Sequence, residues 1–258
     1  MIYDTIRLEE TDGAAILTLN RPEVRNALNV QMRAELLDAI RRCSKSARVI
    51  VLTGAGEAFC SGQDLGDSKS IAATDMERTL RDEYVPLLKA IYEAPVPVIA
   101  AVNGAAAGAG ANLALAADVV IAAERAVFVQ AFARIGLIPD AGGTYFLPRQ
   151  VGFARAMGAA RFAEPVSAKQ AVDWGMIWEA VPDTDFDAHW RSRAAKLAKG
   201  PTVALGAARE AIRASMGNGL EEQLLLEARL QGRCGSTRDF REGVLAFLEK
   251  RPANYEGR

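Results

Sequence analysis

Histidine is almost missing from this chain: among 258 residues, His189 stands alone. It lies in a polar segment, Asp187-Ala-His-Trp190, that reads as a helix surface. A histidine-based triad would rest on that residue alone, and the same scarcity argues against a zinc site. The three cysteines, Cys43, Cys60 and Cys234, lie far apart and match no metal-ligand spacing. A reducing cytoplasm is the natural compartment for such cysteine usage. An excess of charge of one sign is missing as well. The net charge is −1 and the isoelectric point about 6.0, so no nucleic-acid or polyanion-binding surface is expected. No secretory pattern opens the sequence, since Met1-Ile-Tyr-Asp-Thr5 leads straight into a strand-like run. Nucleotide loops are absent too. A G-x-G-x-x-G motif starting at Gly108 would need glycine where Leu113 stands, and no Gly-Lys pair offers a Walker A loop. Ala94 to Ala117 carries no charge, yet Asn103-Gly104 splits it and no basic flank borders it. A buried strand and helix fit that stretch better than a membrane span.

Hydrophobic residues make up half of the chain, enough for a sizeable core. Ala14 to Leu19, Val49 to Thr53, Val96 to Val102, Val119 to Ala122 and Ile177 to Val181 read as strands. Ala27 to Arg42, with Leu28, Met32, Leu36, Leu37 and Ile40 at helical spacing, reads as a helix. Tyr84 to Tyr92 and Arg149 to Arg161 also read as helices. Ser68 to Asp82 is polar. Ser167-Ala-Lys-Gln170 is a capping box for a helix ending at Gly175. From Asp187 onward the pattern is all helix: Pro201 stands at an expected first helical position before Thr202 to Ser215, and Leu220 to Leu230 and Thr237 to Glu249 follow. Alternating strands and helices predict an α/β fold with a mostly parallel sheet. The expected division is 1–186 as core and 187–258 as a helical region. No repeat is visible at the level of residue identity.

One stretch organises the rest. Between the strand ending at Val102 and a helix expected from about Gly108 to Ala117, the sequence Asn103-Gly-Ala-Ala-Ala-Gly-Ala-Gly110 has almost no side chains. Such a stretch serves tight packing, or it bares N–H groups at a helix start, where unpaired donors and a partial positive charge can hold a developing oxyanion.

Three segments stand in order: Phe59-Cys-Ser-Gly-Gln-Asp-Leu65, Val102 to Leu113 and Gly136-Leu-Ile-Pro-Asp-Ala-Gly-Gly-Thr144. With Asn20-Arg-Pro22 near the start, the set resembles the enoyl-CoA hydratase/isomerase (crotonase) superfamily over nearly the whole chain. That resemblance implies a crotonase-like spiral of ββα repeats with a C-terminal all-helical trimerisation region. It implies acyl-CoA substrates, coenzyme A being part of the substrate, with no separate cofactor and no metal. It implies a homotrimer or dimer of trimers, with neither nucleic acid nor membrane as partner. Trp174 and Trp178, four apart near a helix end, are expected in the core rather than against a ligand.

The resemblance also places roles on residues. Two backbone N–H groups, of Gln63 and Ala109, would form the oxyanion hole. The two glutamates that position water in the family's hydratases would fall at Asn112 and Phe132, and neither residue is acidic. Simple hydration is therefore not expected. Asp140 is left as a carboxylate where isomerases of the superfamily carry one. If buried, its pKa would rise and make it a better base. On its own residues the position reads equally as a helix N-cap; the resemblance and the loss of both glutamates favour the base. Gly136 to Thr144, Ala154 to Gly158, Trp174 to Trp178 and Arg241 to Arg251 look like the superfamily's isomerases of ring-epoxidised phenylacetyl thioesters, which also move double bonds in acyl-CoAs. Asn112 is then a participant that can orient substrate but carry no proton. Arg25, Ala27, Phe247 and Lys250 are implied beside coenzyme A, with Lys250 equally readable as a solvated cation at a helix end. Leu65 and Gly66 border the pantetheine path. Ser61, Gly62, Asp64, Gly108, Gly110, Phe132 and Gly143 complete the implied substrate site, and pocket walls are expected from Ser68 to Tyr84 and from Phe128 to Phe146. A hydratase or thioester hydrolase, and a catalytically silent acyl-CoA-binding protein, are the competing expectations.

Overall fold

From the third strand to the eighth, the chain alternates between two sheets. The computed structural model describes residues 2–66 and 75–257, and every statement below concerns those residues. Strands β1 (Ile6–Thr11) and β2 (Ala14–Leu19) form an antiparallel hairpin. Its two-residue turn, Asp12-Gly13, has positive φ at both positions, as the twist of a tight hairpin requires. Helix α1 (Val30–Cys43) follows, and the Asn29 side chain caps it by accepting the Met32 N–H. Ala27 and Leu28, expected inside that helix, instead lie before it, and Leu28 pairs with Gln63 in an isolated parallel bridge.

Next come β3 (Val49–Gly54) and β4 (Ala58–Cys60), then α2 (Met76–Thr79), a π-helical turn (Leu80–Tyr84) and α3 (Val85–Tyr92). The polar stretch Ser68 to Asp82 thus falls partly outside the described residues, and its end is helical. β5 (Val98–Val102), β6 (Ala105–Ala107) and α4 (Ala109–Leu115) make the second strand–strand–helix turn. β7 (Val119–Ala123) and β8 (Val127–Val129) begin the third. A 3-10 turn (Ala131–Ile135), α5 (Gly143–Val151) and α6 (Phe153–Phe162) complete it. The single helix expected over 149–161 is two helices, broken at Gly152, whose φ of 78° and ψ of 167° leave the helical region. β9 (Val166–Ser167), α7 (Ala168–Asp173) and β10 (Glu179–Val181) follow. Ser167 caps α7 as expected.

One strand of each turn enters a six-stranded sheet of order β1-β2-β3-β5-β7-β10, parallel beyond the hairpin. Its companion enters a four-stranded sheet, β4-β6-β8-β9. The repeat is a spiral of ββα units, invisible in residue identity because packing asks only for apolar strands and a returning helix. The larger sheet is covered on both faces, so its strands read as near-continuous apolar runs. Leu17, Leu19, Ile50 and Leu52 face a core shared with α1, α3 and α4. Their alternate neighbours Ile16, Val49, Val51, Ile99 and Ile121 face Phe186, Trp190, Ala194 and Ala198 of α8 (Phe186–Ala198).

Helix α8 is therefore part of the core, and the expected boundary between 186 and 187 cuts into it. The separately packed helices are α9 (Thr202–Ala214), α10 (Leu220–Gly235) and α11 (Arg238–Glu249), and a small cluster of Ala207, Leu226 and Leu230 joins the first two. Pro201 caps α9 from outside rather than opening it. Trp178 is 68% exposed, so the expectation of a core residue fails there; Trp174 is partly buried under the Arg155 guanidinium. His189 lies on α8, bonded to Glu179. No described helix is long and apolar enough to cross a membrane.

Candidate functional site

Two turns of the spiral are jammed together at one point. The end of β4 meets the start of α4, and only glycine permits the contact. A Cβ at Gly110 would stand 2.4 Å from the Cys60 carbonyl oxygen, and one at Gly62 would stand 2.8 Å from that of Ala107. The same imagined atom at Gly62 lies 3.4 Å from the Ala109 nitrogen, so the Ser61–Gly66 loop runs directly against the helix start. Gly108 has a φ of 52° with a ψ of −127°, a conformation that side chains resist, and it turns the chain sharply into α4. Ala109 is the first residue of that helix, so its N–H has no intrahelical partner.

Gln63 is prepared differently. The Leu28 N–H donates to the Gly62 carbonyl at 2.8 Å, and the Asp64 N–H donates to the Leu28 carbonyl at 3.2 Å. These bonds use the groups flanking Gln63 and leave its own N–H on the other side. Among the described residues neither the Gln63 nor the Ala109 N–H is taken by a hydrogen bond. Both residues line a cavity of about 510 Å³.

Asp140 lines the same cavity. Its Oδ1 is buried without a hydrogen-bond partner. Burial pushes its carboxyl pKa up to about 6. The reading of Asp140 as a helix cap fails: α5 begins after Gly142, and no side chain caps it. What holds Asp140 is its main chain. Its carbonyl accepts the Gly143 N–H at 2.8 Å and the Asn112 amide at 2.7 Å.

Asn112 therefore does a different job from the expected one. It is fully buried; its Nδ2 donates to the Asp140 carbonyl, and its Oδ1 accepts from Gln130 at 2.8 Å. Both ends of the amide are spent on scaffold, and Asn112 is not among the cavity's lining residues. It positions the Asp140 segment. Gly143 packs on this amide, since a Cβ there would fall 2.4 Å from Nδ2. Gly110 and Gly143 are thus spacers behind the site rather than its walls.

The remaining expected residues divide in two. Ser61, Gly62, Asp64, Leu65, Gly108 and Phe132 all line the cavity, with Met76, Thr79 and Leu80 opposite. Phe132 is buried, so the position aligned with a second glutamate is an apolar wall. Asp64 is a second carboxylate at the cavity, but Arg21 pairs with it at 2.7 Å. The Arg25 and Ala27 loop is stitched to the Ser61–Gly66 loop. The Arg25 carbonyl accepts the Ser61 N–H at 2.9 Å, and Arg21 donates to the Ala27 carbonyl at 2.7 Å. Gly66 donates to Asp64.

Phe247 and Lys250 are not brought there within one chain. Phe247 is 82% exposed and borders a separate hollow beside Pro201 and Val203. Lys250 is the left-handed C-cap of α11. Their expected place beside the other site residues is not met in the single chain.

Tyr84 lines the cavity at the end of the expected wall stretch 68–84, whereas Arg33, buried behind it, lies outside every expected site segment. A signal existed for Arg33. It lies four residues before Leu37 and three before Leu36, on the inward stripe of α1, where a charge needs a partner. Arg134 lines the cavity within the expected wall stretch 128–146.

These features have counterparts. A family model described as enoyl-CoA hydratase/isomerase matches residues 9–258. The chain belongs to the enoyl-CoA hydratase/isomerase family. A Rhodobacter capsulatus protein named "Probable enoyl-CoA hydratase" is 63% identical over the full length of both chains. The 1,2-epoxyphenylacetyl-CoA isomerase of Escherichia coli is 46% identical over 95% of this chain and 96% of that protein. Among solved structures, a Streptomyces coelicolor protein titled a putative enoyl-CoA hydratase superposes with a TM-score of 0.94 at 36% identity, covering 100% of this chain and 96% of that one. The fold is the crotonase fold, with a helical C-terminal region.

Proposed function

We propose that this family member is an acyl-CoA isomerase that works with one aspartate base. The thioester oxygen sits between the Gln63 and Ala109 N–H groups. Asp140 removes a proton from the acyl chain and returns it at another carbon while the enolate stays bound. Each fixed N–H donor is worth about 3–4 kcal/mol to such an oxyanion, by analogy with measured donor deletions. Asp140 carries this reading. It is the carboxylate of the cavity without a counter-ion, and its raised pKa suits proton abstraction near neutrality. Substrates of the class are 3-enoyl thioesters, and ring-epoxidised phenylacetyl thioesters of phenylacetate catabolism by the likeness to the Escherichia coli isomerase. By the family likeness, Arg25, Ala27, Leu65 and Gly66 would meet coenzyme A where it leaves the cavity.

A hydratase is the second reading, favoured by the name of the Rhodobacter capsulatus relative. Against it, Phe132 offers no proton, Asn112 is tied into the scaffold, and Asp64 is paired with Arg21. Purified protein given 3-enoyl-CoA and 2-enoyl-CoA separates the readings. Double-bond transfer without oxygen uptake is the expected result. Dominant 3-hydroxyacyl-CoA from 2-enoyl-CoA would establish the hydratase, and binding without turnover a silent acyl-CoA carrier.

The same proposal includes a trimer, or a dimer of trimers, built through the C-terminal helices. Leu220, Leu224 and Leu225 of α10 and Phe240, Leu245 and Leu248 of α11 are exposed in the single chain. Light scattering at micromolar concentration is expected to give a multiple of three; a monomer contradicts it.

A further inference from the structure

Behind the Gln63 loop lies a buried cation that the chemistry above does not use. The Arg33 side chain is 3% exposed. Its Nη1 donates to two acceptors, the Leu28 carbonyl at 2.6 Å and Gln63 Oε1 at 2.9 Å. One nitrogen therefore ties both partners of the Leu28–Gln63 bridge. Its Nε donates to Glu83 at 2.8 Å, which balances the charge. The ring of Tyr84 lies 5.0 Å from the guanidinium carbon, and its hydroxyl donates to the same Gln63 Oε1. Burial and the Asp140 carboxylate raise the Tyr84 pKa, so the phenol stays a donor. Glu83 and Tyr84 are consecutive residues of the π-helical turn, a conformation frequent at functional sites. The same turn supplies Leu80 to the cavity, beside Thr79 at the end of α2.

We propose that Arg33 and Tyr84 are positioning residues that fix Gln63, and with it the Gln63 N–H, against the helix that walls the acyl pocket. The inference rests on the thioester reading above. Gln63 has a flexible side chain, and two donors on its single oxygen remove that freedom. The N–H is then presented to the thioester oxygen without rearrangement, the condition under which such a donor is most effective. The wall that meets the acyl group and the N–H that meets the carbonyl are thereby fixed to one guanidinium.

The test measures kcat, KM and the carbonyl stretch of a bound saturated acyl-CoA carrying 13C at the thioester carbon. Wild type, Tyr84→Phe and Arg33→Lys are compared. The wild-type band is expected to shift to lower frequency on binding. Tyr84→Phe is expected to lose part of that shift and about tenfold in kcat, with KM within about twofold. Arg33→Lys keeps the charge but cannot reach Leu28, Gln63 and Glu83 together, and is expected to lose more. If Arg33→Lys does not fold, Tyr84→Phe decides. Folded variants with the wild-type band and kcat would overturn the inference. So would a loss of kcat matched by a rise in KM with the band unmoved. A wild-type band that does not shift on binding would overturn the thioester reading, and this inference with it.

Discussion

The two walls of the cavity are made from different materials. The Gln63–Ala109 wall is backbone, and it depends on close approach. The Asp140 wall is a single side chain, and it depends on what holds the segment that carries it. The first offers only main-chain N–H groups, of Gln63 and Ala109, but demands glycine beside them, at 62 and 110, because a Cβ there meets carbonyl oxygens. The second demands one residue at 140, and its support is spread through Asn112 and Gln130, both buried and 28 and 10 residues away in sequence. A backbone site is thus read from its spacers, and a side-chain site from its chemistry.

Breaking the side-chain wall should cost most. Asp140→Asn is close to isosteric and removes the base, so kcat is expected to fall about 10²–10⁴-fold with thioester binding retained. Steady-state kinetics beside calorimetric binding checks this; a kcat near wild type would contradict it.

Crowding the backbone wall comes next. Gly110→Ala pushes a methyl group into Cys60, where the nearest atom is backbone. A destabilisation of about 1–3 kcal/mol is expected, with kcat reduced. Chemical denaturation is the measurement.

Loosening the support should cost less than removing the base. Asn112→Ala takes from the Asp140 carbonyl one of its two donors and removes the acceptor of the Gln130 amide, and a displaced Asp140 is expected to lower kcat by at most about 10²-fold. A loss as large as that of Asp140→Asn would give Asn112 a direct part in the chemistry.

The two walls also differ in their response to pH. The folded pKa of Asp140, about 6, lies above its ordinary value of 3.8. Between those values the folded state holds a proton that the unfolded state has released, so this group's contribution to stability falls as pH rises through the window. Asp140→Asn is therefore expected to raise the melting temperature relative to wild type at pH 7.5, with the gain shrinking toward pH 4. Equal differences at both pH values would contradict a buried, raised carboxyl.

Changing the side chain on the backbone wall should matter least. Ala109→Ser keeps the N–H and is expected to leave kcat within about threefold.

The sequence showed the backbone wall well. Gly62, Gly108 and Gly110 are visible as letters, and each answers a contact or a turn that no other residue fits. The apolar strands were equally legible, since β3 is buried between two neighbours on both sides. The support of Asp140 was not. Asn112 reads as a site residue because it aligns with one, whereas its amide is consumed by a carbonyl and a glutamine that only the fold brings near. The Arg33–Glu83 contact spans 50 residues, and no local pattern encodes it. Phe247 and Lys250 show the reverse case: their helix was foreseen to within a residue, but not its place relative to the cavity, which depends on how α9 to α11 leave the core. Gly152 breaks what the apolar spacing, running on across it, predicts as one helix.

The central claim is that one carboxylate, without a second titrating partner, does the proton work. The pH dependence of kcat/KM for isomerisation of a 3-enoyl-CoA between pH 5 and 9 tests it most directly. A single limb rising through an apparent pKa near 6 to a plateau is predicted, because Asp140 must be ionised to take the proton. A bell with a descending limb inside that range would require a second group acting as an acid, and would contradict the one-base account.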